Sequence, residues 1–168
     1  MTDTLANAGT LSRLPSGEVE LRFERRLAHP LEKVWAAISI PERIGDWFCE
    51  MNFEARPGAT IDQTFHHAGG LKATGEVLRF EPPHLFEWLW RGGENERDSV
   101  VTWRLEPDGD GTRIILTHRT PDAHEAKNYG HGWHVHLDGL EKALVGGRFE
   151  YPPANNDAVT AHYNRAFG

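Results

Sequence analysis

Cysteine is almost missing from this chain. Cys49 is the single one among 168 residues, which excludes an internal disulfide and a cysteine-based zinc cluster and points to a reducing, cytoplasmic home. Long apolar runs are missing as well. None approaches the roughly 18 residues that a helix needs to cross a bilayer, so no membrane span is predicted. The first twenty residues have neither a basic start nor an apolar stretch and do not read as a secretory signal. Positive charge is in short supply: 18 Lys and Arg against 25 Asp and Glu give a formal charge of −7. That balance argues against a nucleic-acid partner gripped by a basic face. No P-loop, no G-x-G-x-x-G and no G-x-S-x-G occurs, so neither a nucleotide cofactor nor a serine nucleophile has a motif. No cofactor is predicted.

What remains is a globular composition, 39% hydrophobic and 26% charged, with ten His and six Trp. Residues 1–17 are small, polar and aperiodic and read as a flexible N-terminal arm; residues 148–168, with Tyr151-Pro152-Pro153, read as a C-terminal arm. The working domain is 18–147. It starts with a half-buried strand, because Val19, Leu21, Phe23 and Leu27 alternate with charged residues. Leu31, Val34, Trp35 and Ile38 then repeat at helical spacing after Pro30, and Pro41 opens a second short helix. From 51 to 119 short strands follow one another through turns such as Arg56-Pro57-Gly58 and Pro107-Asp108-Gly109-Asp110-Gly111. Trp133, Leu137, Leu140 and Leu144 make one narrow stripe on a long helix over about 123–146. Asp138, Glu141 and Lys142 fall on its wet side.

The pattern predicts an α+β fold: a curved antiparallel sheet of about seven strands, two short helices after the first strand, and a long C-terminal helix across the apolar face. One helix cannot fill the whole hollow of a bent sheet, so a pocket between the two is expected.

Several strings in this order resemble the START-like (SRPBCC, Bet v-type) superfamily. The nearest branch is the family of activators of heat-shock-protein-90 ATPase homologues. The strings are Phe23-Glu24-Arg25-Arg26-Leu27-Ala28-His29-Pro30-Leu31-Glu32-Lys33-Val34-Trp35, Pro41-Glu42-Arg43-Ile44-Gly45-Asp46-Trp47-Phe48, Val101-Thr102-Trp103-Arg104-Leu105-Glu106-Pro107, Gly111-Thr112-Arg113-Ile114-Ile115-Leu116-Thr117-His118, and Gly132-Trp133 with Leu137-Asp138-Gly139-Leu140. The resemblance implies a helix-grip fold with a hydrophobic cavity. It does not imply one activity, since such relatives include lipid and hormone binders, polyketide cyclases, quinone-binding proteins and co-chaperone domains.

Parity and helical phase nominate the residues that face that cavity: Trp47, Phe65, Trp88, Trp90, Trp103, His118, Trp133, His136 and Leu137. Plain core packing explains large aromatics equally well. His118 shares inward parity with Ile114 and Leu116 at the end of its strand. There an imidazole is either an acid/base group or a histidine satisfied by a neighbour. Gln63 and His67 share parity with Ile61 and Phe65 and bring polar groups to the same face. Glu87 would be an acid only if a bulge turned it inward. His131, His134 and His136 lack the i,i+4 spacing and acid partner of a helical zinc motif, so no metal site is predicted. No residue is assigned a catalytic role.

Three functions remain open. The first is binding of a small apolar or aromatic ligand between sheet and helix. The second is a cofactor-independent cyclase, dehydratase or hydrolase of the same fold. The third is a stress-response interaction module that docks on a chaperone partner.

Overall fold

A computed structural model describes residues 7–91, 97–147 and 157–167. Eight strands form one antiparallel sheet: β1 (Thr10–Arg13), β2 (Val19–Leu27), β3 (Glu50–Asn52), β4 (Thr60–Phe65), β5 (Leu71–Glu81), β6 (Leu85–Arg91), β7 (Ser99–Asp108) and β8 (Gly111–Thr120). Their spatial order is β1-β2-β8-β7-β6-β5-β4-β3. The hairpins from β4 to β8 are sequential neighbours. β2 joins the last strand, β8, and the chain crosses to the opposite edge through α1 (Leu31–Ser39) and α2 (Pro41–Ile44). Both helices begin as the prolines dictate, with Pro30 at the N-cap of α1 and Pro41 as the first residue of α2.

The sequence predicted about seven strands, and eight are present among the described residues. The miscounted pieces are the short ones. Residues 10–13, expected within the loose N-terminal arm, pair with Val19–Arg22 as β1. Their order comes from backbone hydrogen bonds, and only Leu11 is even half-buried, so no alternation marks them. The C-terminal arm also holds structure, α4 (Asp157–Phe167). Residues 1–6, 92–96 and 148–156 of the predicted arms and loop lie outside the described residues.

The long helix α3 (Ala123–Leu144) starts at Asp122, whose carboxylate accepts the Glu125 backbone N–H at 3.0 Å. Its buried stripe includes Trp133, Leu137, Leu140 and Leu144, as the spacing predicted. α3 packs against β2 and β8, and α1 against β7 and β8. The inner rows of β4–β6 carry Phe65, Phe86 and Trp88, all in the core. Gly75 of β5 stands opposite Trp90 of β6, where a Cβ would come within 2.1 Å of the Leu89 carbonyl oxygen. Only glycine tolerates that approach.

One charge breaks the apolar inner row of β2. Arg25 is 4% exposed, and its Nη1 donates to Asp138 at 2.8 Å and Glu141 at 3.0 Å on the wet flank of α3. Among the described residues no helix is long and apolar enough to cross a membrane.

Candidate functional site

The inner face carries a continuous set of rings. Phe65 of β4 stacks on Trp90 of β6 with centroids 5.9 Å apart, and Trp90 stacks on Trp88 at 5.3 Å. Trp133 of α3 meets Trp90 edge-on at 6.2 Å and Trp103 of β7 at 5.6 Å. Trp103 meets Trp47 edge-on at 5.9 Å. His118 of β8 stacks on Trp90 at 5.6 Å, while His136 of α3 lies edge-on to Phe48 at 5.0 Å. All of the predicted ring residues thus join one network, and Leu137 is buried in the same core.

Two ring residues outside the predicted set stand near its centre. Phe48 touches Trp47, Phe65, Trp90, Trp133 and His136. Tyr129 lies 4.2 Å from His118 and 5.3 Å from Trp90, centroid to centroid. The signal for Tyr129 was present in the sequence, since it sits one helical turn before Trp133 on the same stripe.

The polar groups of this network are largely engaged. The Trp133 Nε1–H donates to His118 Nδ1 at 2.9 Å, so Nδ1 carries no hydrogen. His118 Nε2–H then faces the Ser99 hydroxyl at 2.7 Å and donates to it. With both nitrogens occupied and no exposure, burial drives the His118 pKa down to about 3. It is a neutral imidazole with both ring nitrogens engaged by neighbours. The Trp47 Nε1–H donates to the Ala37 carbonyl at 2.8 Å, and His136 Nδ1–H donates to the Trp47 carbonyl at 3.0 Å. Burial likewise lowers the His136 pKa, to about 4. Glu87 keeps the outward parity: the bulge of this hairpin lies in β5, between Val77 and Arg79. Its carboxylate accepts the Thr102 hydroxyl at 2.8 Å.

A cavity of about 220 Å³ opens at the end of the network, between α2 and the β3–β4 edge. Gly45, Asp46, Trp47, Phe48, Cys49, Glu50, His66 and His67 line it. Burial pushes the Cys49 thiol upward, with the Glu50 charge adding to the shift, so it stays protonated. Burial lowers the His67 pKa, and this imidazole lies 5.3 Å from that of His136. Among the described residues no three His, Cys, Asp or Glu side chains gather to hold a metal ion.

One buried polar group stands apart. Gln63 of β4 is 1% exposed, between Met51 of β3 and Ala73 of β5, and neither atom of its amide has a hydrogen-bond partner among the described residues. An unpaired buried group of this kind costs about 1–3 kcal/mol.

Comparison with known families settles the lineage. The family model described as Activator of Hsp90 ATPase homolog 1-like protein matches residues 28–145. The chain belongs to this family. Solved structures agree with the assignment of this Activator of Hsp90 ATPase homolog 1-like chain. CalU16 from Micromonospora echinospora is 29% identical with a TM-score of 0.78, over 95% of this chain and 93% of that one. The protein encoded by BPP1335 of Bordetella parapertussis is 28% identical with a TM-score of 0.73, over 98% and 95%. MLL2253 from Mesorhizobium loti is 26% identical with a TM-score of 0.68, over 76% of this chain and 96% of that one. No curated protein matches. The fold expected from the resemblance is the one present, an antiparallel sheet with a long C-terminal helix packed on it.

Proposed function

We propose that this protein binds a small aromatic ligand in the cavity between α2 and the β3–β4 edge, against the ring network of the sheet and α3 behind it. The observation that carries the reading is the continuity of the open cavity with the ring network. Phe48 lines the cavity and at the same time touches Phe65, Trp90 and Trp133. A flat ligand entering past Asp46 and His67 meets ring faces at once. Apolar burial of roughly 25 cal/mol per Å² supplies the affinity, and offset or edge-on ring contacts add to it. The cavity of about 220 Å³ lies below the roughly 300–1,000 Å³ of common ligand pockets. It suits a ligand of one or two rings, or a larger one that displaces Phe48.

An acid/base enzyme is less well supported, because His118 has both nitrogens engaged and Glu87 faces away from the hollow. The test is intrinsic tryptophan fluorescence during titration with one- and two-ring aromatic compounds, with thermal stability followed in parallel. The expected result is saturable quenching and a raised Tm for at least one compound, both weakened by Phe48→Ala. A whole series that changes neither signal overturns the reading.

A further inference from the structure

Gln63 is the one inward-facing group of β4 that packing does not explain. Its row on β4 is Ile61, Gln63 and Phe65, all buried. Its register partners are Met51 and Ala73, both apolar. A primary amide in such surroundings presents one N–H face and one C=O face side by side. The next rung along the strand is Phe65, sandwiched between Trp90 and the edge of Phe48. Phe48 in turn lines the cavity that opens beside α2. The cavity lining includes Phe48 but neither Phe65 nor Gln63, so a ligand reaches the amide only by displacing these rings.

We infer that Gln63 is the polar anchor of the ligand site and selects a neutral planar ring that carries an adjacent N–H and C=O pair, as in an aromatic lactam or ring carboxamide. The inference rests on the ligand-binding reading above and names its chemical class. A cis N–H/C=O edge meets a primary amide through two parallel hydrogen bonds, one in each direction, so both unpartnered atoms are satisfied at once. A carboxylate ligand is disfavoured, because the side chains on either side of Gln63 are apolar and offer its charge nothing. A ring without polar atoms would stack on Phe65 and leave the amide as it is.

The test compares oxindole, a bicyclic lactam, with indene, which has the same frame and no hydrogen-bonding groups. Both are titrated calorimetrically into the wild-type protein and into Gln63→Met, a substitution close in length and apolar. The expected result is that Gln63→Met weakens oxindole by about tenfold relative to indene, the loss that follows from removing a modest net hydrogen-bond contribution. The ligand-free variant is also expected to melt at a higher temperature than the wild type, since an unpartnered buried amide is gone. An oxindole-to-indene ratio unchanged by the substitution overturns the anchor and leaves ring binding standing. A lower Tm, or a variant that fails to fold, also overturns it, because the amide is then a structural element. Binding of neither compound by the wild type overturns the anchor, while the ligand-binding reading falls only if the whole aromatic series also fails to bind.

Discussion

His118 carries one ring hydrogen, and the side chains around it decide on which nitrogen. An indole N–H has no acceptor capacity, so Trp133 fixes Nδ1 as an acceptor and Nε2 as the donor toward Ser99. Imidazole nitrogen shifts are expected to report the Nε2–H tautomer from about pH 5 to 8, with no protonated form in that range. An Nδ1–H tautomer, or titration near pH 6.5, would contradict the assignment. Ser99→Ala leaves the buried Nε2–H without a partner and is expected to destabilise the fold by about 1–3 kcal/mol in urea titration. Parity turned His118 inward on the sequence alone. Its partners could not be read there, because Ser99 lies on the neighbouring strand and Trp133 on a helix that the fold alone brings above it. Arg25 was hidden for the same reason: its acids lie 113 and 116 residues further along.

At the scale of elements, one hydroxyl adds polar ties to the apolar packing of α4. The Gly9 backbone N–H donates to the Tyr163 oxygen at 2.9 Å, and that hydroxyl donates to His134 Nδ1 at 3.0 Å. His134 then turns Nε2–H toward Asp138, 3.7 Å away. One phenol thus ties α4 to α3 and to the segment leading into β1. Burial is the main cause that raises the Tyr163 pKa to about 12, so the hydroxyl keeps its hydrogen at neutral pH. Tyr163→Phe keeps the ring against Phe23 and removes both bonds. It is expected to lower stability by about 1–3 kcal/mol and to speed amide exchange in α4 and at Gly9, with β5–β8 unaffected. Uniform exchange across the chain would rule this clasp out. Strong periodicity made β2 and α3 legible, whereas among the described side chains of α4 only Val159 and Tyr163 are buried, and β3 spans only Glu50–Asn52. Segments that short acquire their structure from neighbours rather than from their own pattern.

At the scale of the whole molecule, three histidines among the described residues are buried and neutral, His118, His134 and His136. Burial is the first cause in each case, and it lowers His118 to about 3 and His134 and His136 to about 4 from 6.5. At His134 the Asp138 carboxylate opposes the shift, while Arg25, His162 and His131 reinforce it. A folded pKa below the unfolded value means that the unfolded chain takes up protons first as pH falls. The stabilising contribution is therefore complete above about pH 6.5 and is lost as pH falls toward 4 and below. pH 5 lies about 1.5 units below the unfolded pKa and above all three folded values, so each histidine has by then lost about 2 kcal/mol at roughly 1.4 kcal/mol per unit. Three such groups together exceed a third of the stability of an ordinary domain of about 5–15 kcal/mol. Urea midpoints are thus expected to fall steeply between about pH 7 and pH 5 with an unchanged slope, before most carboxylates titrate. Replacing His136 by Gln removes one proton-uptake site and is expected to flatten that fall by about a third. A midpoint constant across this range would show that these imidazoles titrate alike in the folded and unfolded chains, and their burial would be wrong.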